Sequence, residues 1–255
     1  MRRLHGAFIV AVLLFVSPRA QTQELHVMTS GAFTAAFLEL SPQFEQTAKT
    51  KVSTAFGASM GGAPDSIPSR LNRNEPADVV ILAREALDAL VAKGEVVPGS
   101  QVDLVRSTIG MAVRAGAPKP DISTVEALKR TLLAARSIAY SASASGVYLS
   151  TELFPRLGIA DAIKDKSRRI ESERVGTVVA RGDAEVGFQQ VSELLPIAGI
   201  DYVGPLPEAV QRATIFSAGI ATGAKNVDAA TALIRFLSSA AAEQTIRKSG
   251  LEPVR

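Results

Sequence analysis

Two hydrophobic patterns alternate along the chain. In one, several consecutive residues are apolar, as in residues 78–82, which are almost wholly so. In the other, apolar residues recur every three or four positions, as Phe33, Phe37 and Phe44 do. Continuous apolar runs are typical of strands buried on both faces of a parallel sheet, and the helical spacing indicates helices with one apolar face. Their alternation predicts an α/β fold.

The predicted elements fall into two units. The first unit contains the strands 25–29, 51–56 and 78–82. It also contains three helices: one begins at Ser30–Gly31, one runs from the N-cap Asp65 to Asn72, and one spans 85–93 and ends before Gly94. The second unit contains the strands 137–140 and 184–189 and the helices 124–134, 147–157 and 175–181. Residues 108–114 are predicted to cross into the second unit and residues 212–221 to return, before two last helices at 227–237 and 240–248.

We therefore predict two doubly wound α/β lobes joined by two crossing segments. Lobe I is assigned residues 21–113 and 218–255, and lobe II residues 114–217. Ligands of open parallel sheets bind beyond the carboxyl ends of the strands. The predicted ligand site is therefore the cleft between the lobes.

The first twenty residues have the layout of a secretory signal peptide. Arg2 and Arg3 precede an apolar stretch at residues 7–16, and the small residue Ala20 follows. Ten apolar residues are too few to cross the ~30 Å hydrocarbon layer as a helix. We expect export to the periplasm and cleavage after Ala20.

Charge and composition narrow the function further. The leader contains Arg2, Arg3 and Arg19 and no acidic residue. Without the leader the chain therefore keeps 25 of its 28 basic residues and has 25 acidic residues. A formally neutral mature chain gives no electrostatic argument for a nucleic-acid partner. The chain has no cysteine and two histidines, and its acidic residues show no EF-hand spacing, so we expect neither a metal nor a cofactor.

Three polar loops follow predicted strands and supply hydroxyl groups and small residues. They are residues 29–31, residues 58–61, and residues 141–146 in the second unit. Small residues let the backbone approach a ligand, and hydroxyl and backbone N–H groups donate to anions. Gln189 ends a strand with an amide donor, and Arg84 follows a strand with a guanidinium that could bind a carboxylate. The candidate binding residues are Ser30, Gly31, Ser59, Met60, Arg84, Ser143, Ser145, Gly146 and Gln189.

One motif suggests a hydrolase, but the chain lacks the base it needs. Residues 57–61 match the G-x-S-x-G nucleophile elbow and lie between a strand and a helix. The serine of this motif needs a histidine. The only histidines are His5, in the leader, and His26, inside the first predicted strand. We therefore reject serine hydrolysis.

Several segments together resemble the periplasmic binding proteins of molybdate-type ABC transporters. They are residues 25–31, 57–60, 76–81 and 182–189. This resemblance implies the type II periplasmic binding protein fold, and a tetrahedral oxyanion held by serine hydroxyls and backbone amides. It also implies an ABC permease as a partner for a carrier protein.

A narrower resemblance is to the bacterial aconitate isomerases, exported enzymes on the same scaffold. Residues 60–71, 110–123, 143–148 and 175–192 carry it. It implies an allylic proton shift between cis- and trans-aconitate, without a metal or redox cofactor. The chain has Ala142 where an aspartate is expected.

Two functions stay open from the sequence. The first is a monomeric enzyme that binds aconitate or a similar polycarboxylate, and the second is a non-catalytic receptor for an oxyanion or small carboxylate. The catalytic residue is unknown: Tyr148, Glu173 and Glu193 are candidate bases by position only, and Arg84 and Arg114 are candidate cations.

Overall fold

The computed structural model describes residues 24–254. The predicted signal peptide, residues 1–20, lies outside them. The strands are β1 (Glu24–Ser30), β2 (Lys51–Gly57), β3 (Val79–Ala83), β4 (Val102–Ser107), β5 (Ile109–Arg114), β6 (Ile138–Ser141), β7 (Ser167–Ile170), β8 (Val186–Gln190), β9 (Ile200–Pro205), β10 (Thr214–Ile220) and β11 (Glu252–Pro253). The helices are α1 (Gly31–Ala48), α2 (Ile67–Asn72), α3 (Arg84–Ala92), α4 (Val125–Ala134), α5 (Ala144–Tyr148), α6 (Phe154–Arg156), α7 (Ala160–Ile163), α8 (Val175–Ala180), α9 (Val191–Leu194), α10 (Val227–Leu237) and α11 (Ala240–Lys248).

The strands form two separate sheets. One has the order β11-β4-β10-β3-β1-β2, and the other has the order β7-β6-β8-β5-β9. In the first sheet β1 pairs in parallel with β2 and β3, and in the second β6 pairs in parallel with β7 and β8. The carboxyl ends of these parallel strands therefore meet at one edge of each sheet. The predicted α/β fold is confirmed.

The chain changes sheet twice. The first change is at Thr108, between β4 and β5, and the second is between β9 and β10. We call residues 24–107 and 214–254 the first lobe and residues 109–205 the second lobe. Both predicted limits, at residues 113 and 217, need correction, because β5 pairs with β8 and β9, and β10 pairs with β3 and β4.

Both faces of each sheet are covered, which explains the continuous apolar runs. In β3, Val79 and Ile81 pack into the core shared with α1, α10 and α11, while Val80 and Leu82 pack on the opposite face with α2 and α3. A strand with a core on each side has no position for a polar side chain. The second sheet likewise has a core on each face.

Three predicted helix starts near the cleft between the lobes differ from those in the structure. Ser66 rather than Asp65 caps α2, since its Oγ accepts from the backbone N–H of Ser69 at 3.3 Å. The predicted helix 147–157 begins earlier, at Ala144, and continues through a π-helical turn (Leu149–Leu153) into α6. The helix after β3 begins at Arg84, one residue before the predicted start at residue 85. Within residues 24–254, no helix has the length and apolar character that crossing a membrane requires.

Candidate functional site

The ends of β1, β2, β6 and β8 meet around a cavity between the two lobes. Its volume is about 150 Å³, against the ~10–15 Å³ that one water molecule needs. Its walls are rich in hydroxyl groups, so we call it the hydroxyl cavity. Six of the predicted site residues line it: Ser30, Gly31, Ser59, Ser143, Ser145 and Gln189.

Ser30 stands where β1 passes into the 18-residue helix α1. Its backbone is extended, and its Oγ is buried without a hydrogen-bond partner among the described residues. The free N–H groups of a helix N-terminus favour an anion, and an unpaired buried hydroxyl is costly unless a ligand satisfies it. Ser30 is therefore placed to donate to an anionic group in the cavity.

Ser59 joins the cavity to the end of β3. Its Oγ is buried and accepts a hydrogen bond from the backbone N–H of Ala83 at 3.0 Å. A hydroxyl that accepts one bond still has its own proton to donate. Ser59 therefore has a structural bond and can also serve a ligand.

The loop after β6 supplies the donors of the second lobe. Ser141 Oγ accepts from the backbone N–H of Ser143 at 3.0 Å, and Ser143, Ser145 and Ser141 all line the cavity. Gly146 does not line it. A methyl group at Gly146 would overlap the carbonyl oxygen of Ser141, so this predicted binding residue instead lets the loop pack against the start of α5.

Gln189 is fixed at both ends of its amide. Its Oε1 accepts from the backbone N–H of Val175 at 2.9 Å, and its Nε2 donates to Glu193 Oε1 at 2.9 Å. The second proton of Nε2 can still be donated to a ligand, so Gln189 as a ligand donor stays a prediction. Its amide positions the Glu193 carboxyl at the wall of the cavity.

Burial changes the acidity of Glu193. The residue keeps some exposure to the cavity, but its carboxyl lies deep between the lobes. Burial raises the pKa of Glu193 to about 7, and the charge of Arg174 and hydrogen bonds from Gln189 and the backbone of Gln190 oppose the rise. Glu193 can therefore hold or release a proton near neutral pH.

Arg174 is a site residue that the sequence analysis missed. It directly precedes α8 and lines the hydroxyl cavity. No described carboxylate lies within ion-pair distance of its guanidinium, and no described acceptor takes a hydrogen bond from it. An unpaired guanidinium in a cavity of hydroxyl donors is suited to a carboxylate.

The comparisons with known proteins identify the family. Residues 25–252 match the model of the bacterial extracellular solute-binding proteins. The chain belongs to this family.

Curated relatives include an isomerase and a molybdate-binding protein. The chain is 47% identical over 255 residues to an aconitate isomerase from a Pseudomonas species, covering 99% of this chain and 97% of the relative. It is 27% identical over 242 residues to the molybdate-binding protein of Azotobacter vinelandii, covering 91% and 90% of the two chains. Both relatives match along nearly their whole length.

Solved structures agree with the fold of the family. The periplasmic molybdate-binding protein of A. vinelandii superposes with a TM-score of 0.72 at 20% identity, covering 91% of this chain and all of that one. The sulfate-binding protein SubI of Mycobacterium tuberculosis gives 0.71 at 20% identity, covering 91% and 87%. The type II periplasmic binding protein fold predicted from the sequence is confirmed.

Two predicted site residues of this solute-binding protein lie in a different cavity. Arg84 and Met60 line a space of about 320 Å³ beside the second crossing segment. There Arg84 Nε binds Asp88 Oδ1 at 2.9 Å, and Arg84 Nη1 binds Asp103 Oδ1 at 2.6 Å. We call it the ion-pair cavity. The predicted cation Arg84 is already neutralised, and the other predicted cation, Arg114, lines neither cavity.

The structure separates the three candidate bases. Tyr148 Oη donates to the carbonyl of Val210 at 2.8 Å, and burial raises the pKa of Tyr148. Glu173 accepts two hydrogen bonds from Arg181, at 2.7 and 3.1 Å, and these bonds lower its pKa. Glu193 alone of the three combines a place in the hydroxyl cavity with a pKa raised towards neutrality.

Ala142, which replaces the expected aspartate, lines neither cavity. Its side chain is buried, and its backbone N–H donates to the carbonyl of Ile170 at 2.8 Å. The described residues contain no cluster of three or more metal-ligating side chains. The groups that line the hydroxyl cavity are hydroxyl, amide, guanidinium and carboxyl groups.

Proposed function

We propose that this solute-binding protein interconverts cis- and trans-aconitate by an allylic proton shift in the hydroxyl cavity. The observation that carries this proposal is 47% identity to an aconitate isomerase along 99% of the chain. The identity to the molybdate-binding relative is much lower, at 27%. The assignment of the reaction rests on that difference and on the chemistry of the cavity.

The walls of the cavity suit a planar polycarboxylate. Arg174 would bind one carboxylate through its guanidinium, and Ser30 with the N-terminus of α1 would receive another. Hydroxyl groups of Ser59, Ser143 and Ser145 surround the remaining space. These donors come from both lobes, so the substrate would hold the cleft closed by a hinge movement.

The reaction needs one proton moved between two carbons. A base removes a proton from the methylene carbon, the double bond shifts along the three-carbon chain, and a proton is added to the former vinyl carbon. The negative charge that develops is shared with the carboxylate next to the reacting carbon. Fixed donors aimed at that carboxylate lower the barrier, because they are in place before the charge forms.

A second candidate function is that of a non-catalytic receptor for an oxyanion or small carboxylate. Membership of the extracellular solute-binding family favours it, as does the match to the molybdate-binding protein. Such a receptor would pass its ligand to an ABC permease and would need no base. In either role we propose export to the periplasm and action as a monomer.

Thermal unfolding with a panel of anions separates the two functions. The mature protein would be melted with cis-aconitate, trans-aconitate, citrate, molybdate and sulfate. A ligand at 100 times its Kd adds about 2.7 kcal/mol to the free energy of unfolding. We expect stabilisation by an aconitate isomer and its conversion in proton NMR spectra of the same sample. Stabilisation by molybdate alone would establish a transport receptor instead.

A further inference from the structure

Four described carboxylates line the hydroxyl cavity, and three of them are engaged at its rim. Glu171 binds Arg169, Glu173 binds Arg181, and Asp65 accepts from Ser172 Oγ at 3.1 Å across the lobes. The fourth, Glu193, has no cation within ion-pair distance among the described residues. It is also the carboxyl that lies deep between the lobes.

The neighbours of Glu193 fix its carboxyl against the N-terminal end of α1. Gln189 Nε2 donates to Oε1 at 2.9 Å. A methyl group at Gly31 would overlap Glu193 Oε1, so the carboxyl of the second lobe reaches the first residue of α1. Because Gly31 has no side chain, there is room for the carboxyl of Glu193 at the start of α1.

We propose that Glu193 is the general base that carries the proton between the two carbons of aconitate. This assignment rests on the proposed function. Glu193 takes a proton from the methylene carbon, and the C–H electron pair becomes part of the shifting double bond and the adjacent carboxylate. The protonated Glu193 then returns a proton to the former vinyl carbon. No atom or electron is gained or lost, and Glu193 ends as it began.

The charges around Glu193 fit this cycle. Arg174, before α8, is the cation whose charge favours the ionised form of Glu193. Gln189 and Gln190 of β8 are neutral, α1 has no ionisable residue before Glu39, and the charged residue of β5, Arg114, lies outside the cavity lining. The cavity also holds Asp65, Glu171 and Glu173. With a pKa of about 7, Glu193 can both accept and return a proton at neutral pH.

The test compares the wild type with Glu193→Gln and Glu193→Asp. Isomerisation is followed by proton NMR, and binding of aconitate by calorimetry. General base catalysis contributes about 10²–10⁴-fold to a rate, so Glu193→Gln is expected to lose that much in kcat while the Kd for aconitate changes several-fold at most. Glu193→Asp keeps the carboxyl one methylene further away and is expected to restore part of kcat, with a shifted acid limb in its pH profile. Glu126→Gln, at an exposed position of α4, is the control for replacing a glutamate by a glutamine elsewhere in the protein.

The outcomes distinguish the two proposals. A wild type that binds and converts neither isomer overturns the proposed function and this assignment with it. A wild type that converts aconitate, together with Glu193→Gln at the wild-type kcat, overturns the assignment alone. Loss of kcat in Glu173→Gln but not in Glu193→Gln would transfer the role to Glu173. Equal losses of binding and kcat in Glu193→Gln and Glu193→Asp would reduce Glu193 to a structural residue.

Discussion

The two cavities between the lobes differ in whether their arginines are paired with carboxylates. In the ion-pair cavity, Arg84 is held by Asp88 and Asp103, and Arg212 binds Glu152, contacts Glu85 at 3.7 Å and lies 5.3 Å from the ring centre of Tyr148. In the hydroxyl cavity, Arg174 has no such partner among the described residues, and Ser30 Oγ is buried and unpaired.

From this difference we infer that unpaired hydrogen-bond donors, rather than cavity volume, indicate where a ligand binds. The ion-pair cavity is the larger, at about 320 Å³ against about 150 Å³. Its cations are satisfied by the protein, so an added anion would have to displace a carboxylate. The hydroxyl cavity instead leaves donors unsatisfied at a cost that a bound anion would remove.

The largest expected effect is a dependence of stability on pH that comes from Glu193. Its folded pKa of about 7 lies above its usual 4.5, so the folded state binds more protons between these values. The contribution to stability is complete below pH 4.5 and is lost as the pH rises through 7. At 1.36 kcal/mol per pKa unit, the loss is about 3 kcal/mol at most. Melting curves of the unliganded protein from pH 5 to 8 should fall more steeply for the wild type than for Glu193→Gln.

Glu173→Gln is the matched control for this titration. Hydrogen bonds from Arg181 lower the pKa of Glu173, so its contribution is present above its unfolded pKa and is lost as the pH falls. Its removal should leave the slope between pH 5 and 8 unchanged. Parallel curves for the wild type and Glu193→Gln would show that the Glu193 carboxyl is not held in its protonated form by burial.

Arg174→Met is expected to have the next largest effect, on ligand affinity. Hydrogen bonds to charged groups contribute about 1.5–3 kcal/mol, which corresponds to a roughly 10- to 150-fold weaker binding of aconitate in calorimetry. Arg174→Lys keeps the charge but loses the bidentate geometry of the guanidinium, so its affinity for aconitate should lie between those of the wild type and Arg174→Met. Unchanged affinity in Arg174→Met would mean that the free guanidinium serves no carboxylate.

Much of the fold could be predicted because the central strands are buried on both faces. The predicted limits of α10 and α11 agree with the structure, and β3 was predicted within one residue. The sequence analysis does not predict the strands β4, β7, β9 and β11. Of these, β7 and β9 are edge strands of the second sheet, and β7 has two exposed arginines, so neither shows a continuous apolar run. Without β9, the pairing of β5 in the second sheet could not be foreseen.

The site was harder to predict because its chemistry depends on pairing between distant residues. Serine-rich loops after strands are local features, and they led to Ser30, Ser59, Ser143 and Ser145. Asp88 binds Arg84 within one helix, but Asp103 reaches Arg84 only because β3 and β4 both pair with β10. Arg174 directly precedes the predicted helix 175–181, and this place before a helix is the signal that could have indicated it.

Two serines of the hydroxyl cavity should separate ligand binding from stability. Ser59→Ala removes the acceptor of the buried N–H of Ala83, and an unsatisfied buried donor costs about 1–3 kcal/mol of folding free energy. Ser30→Ala removes a hydroxyl that has no described partner, so the free energy of unfolding should be unchanged or slightly higher. Each variant should lose one ligand hydrogen bond, about 2- to 12-fold in Kd. Urea unfolding and calorimetry measure the two quantities.

Equal losses of stability in the two variants would contradict this division. It would mean that Ser30 Oγ has a structural partner in solution, and the cavity would then offer one donor fewer to a ligand. Ser69→Ala is a suitable reference, because Ser69 binds Ser66 Oγ at 2.8 Å outside both cavities.

Arg84→Met should have the smallest effect and tests the ion-pair cavity directly. Arg84 and Asp103 are each more than a third exposed, so solvent screening limits the pair to below about 1 kcal/mol of folding free energy. Asp103 also keeps its hydrogen bond from Ser217 Oγ at 2.6 Å. Because Arg84 faces the other cavity, the Kd for aconitate should stay within about twofold, since no charged hydrogen bond to the ligand is lost. A loss of affinity as large as that of Arg174→Met would place a carboxylate of the ligand in the ion-pair cavity, and size would then be the better guide to the site.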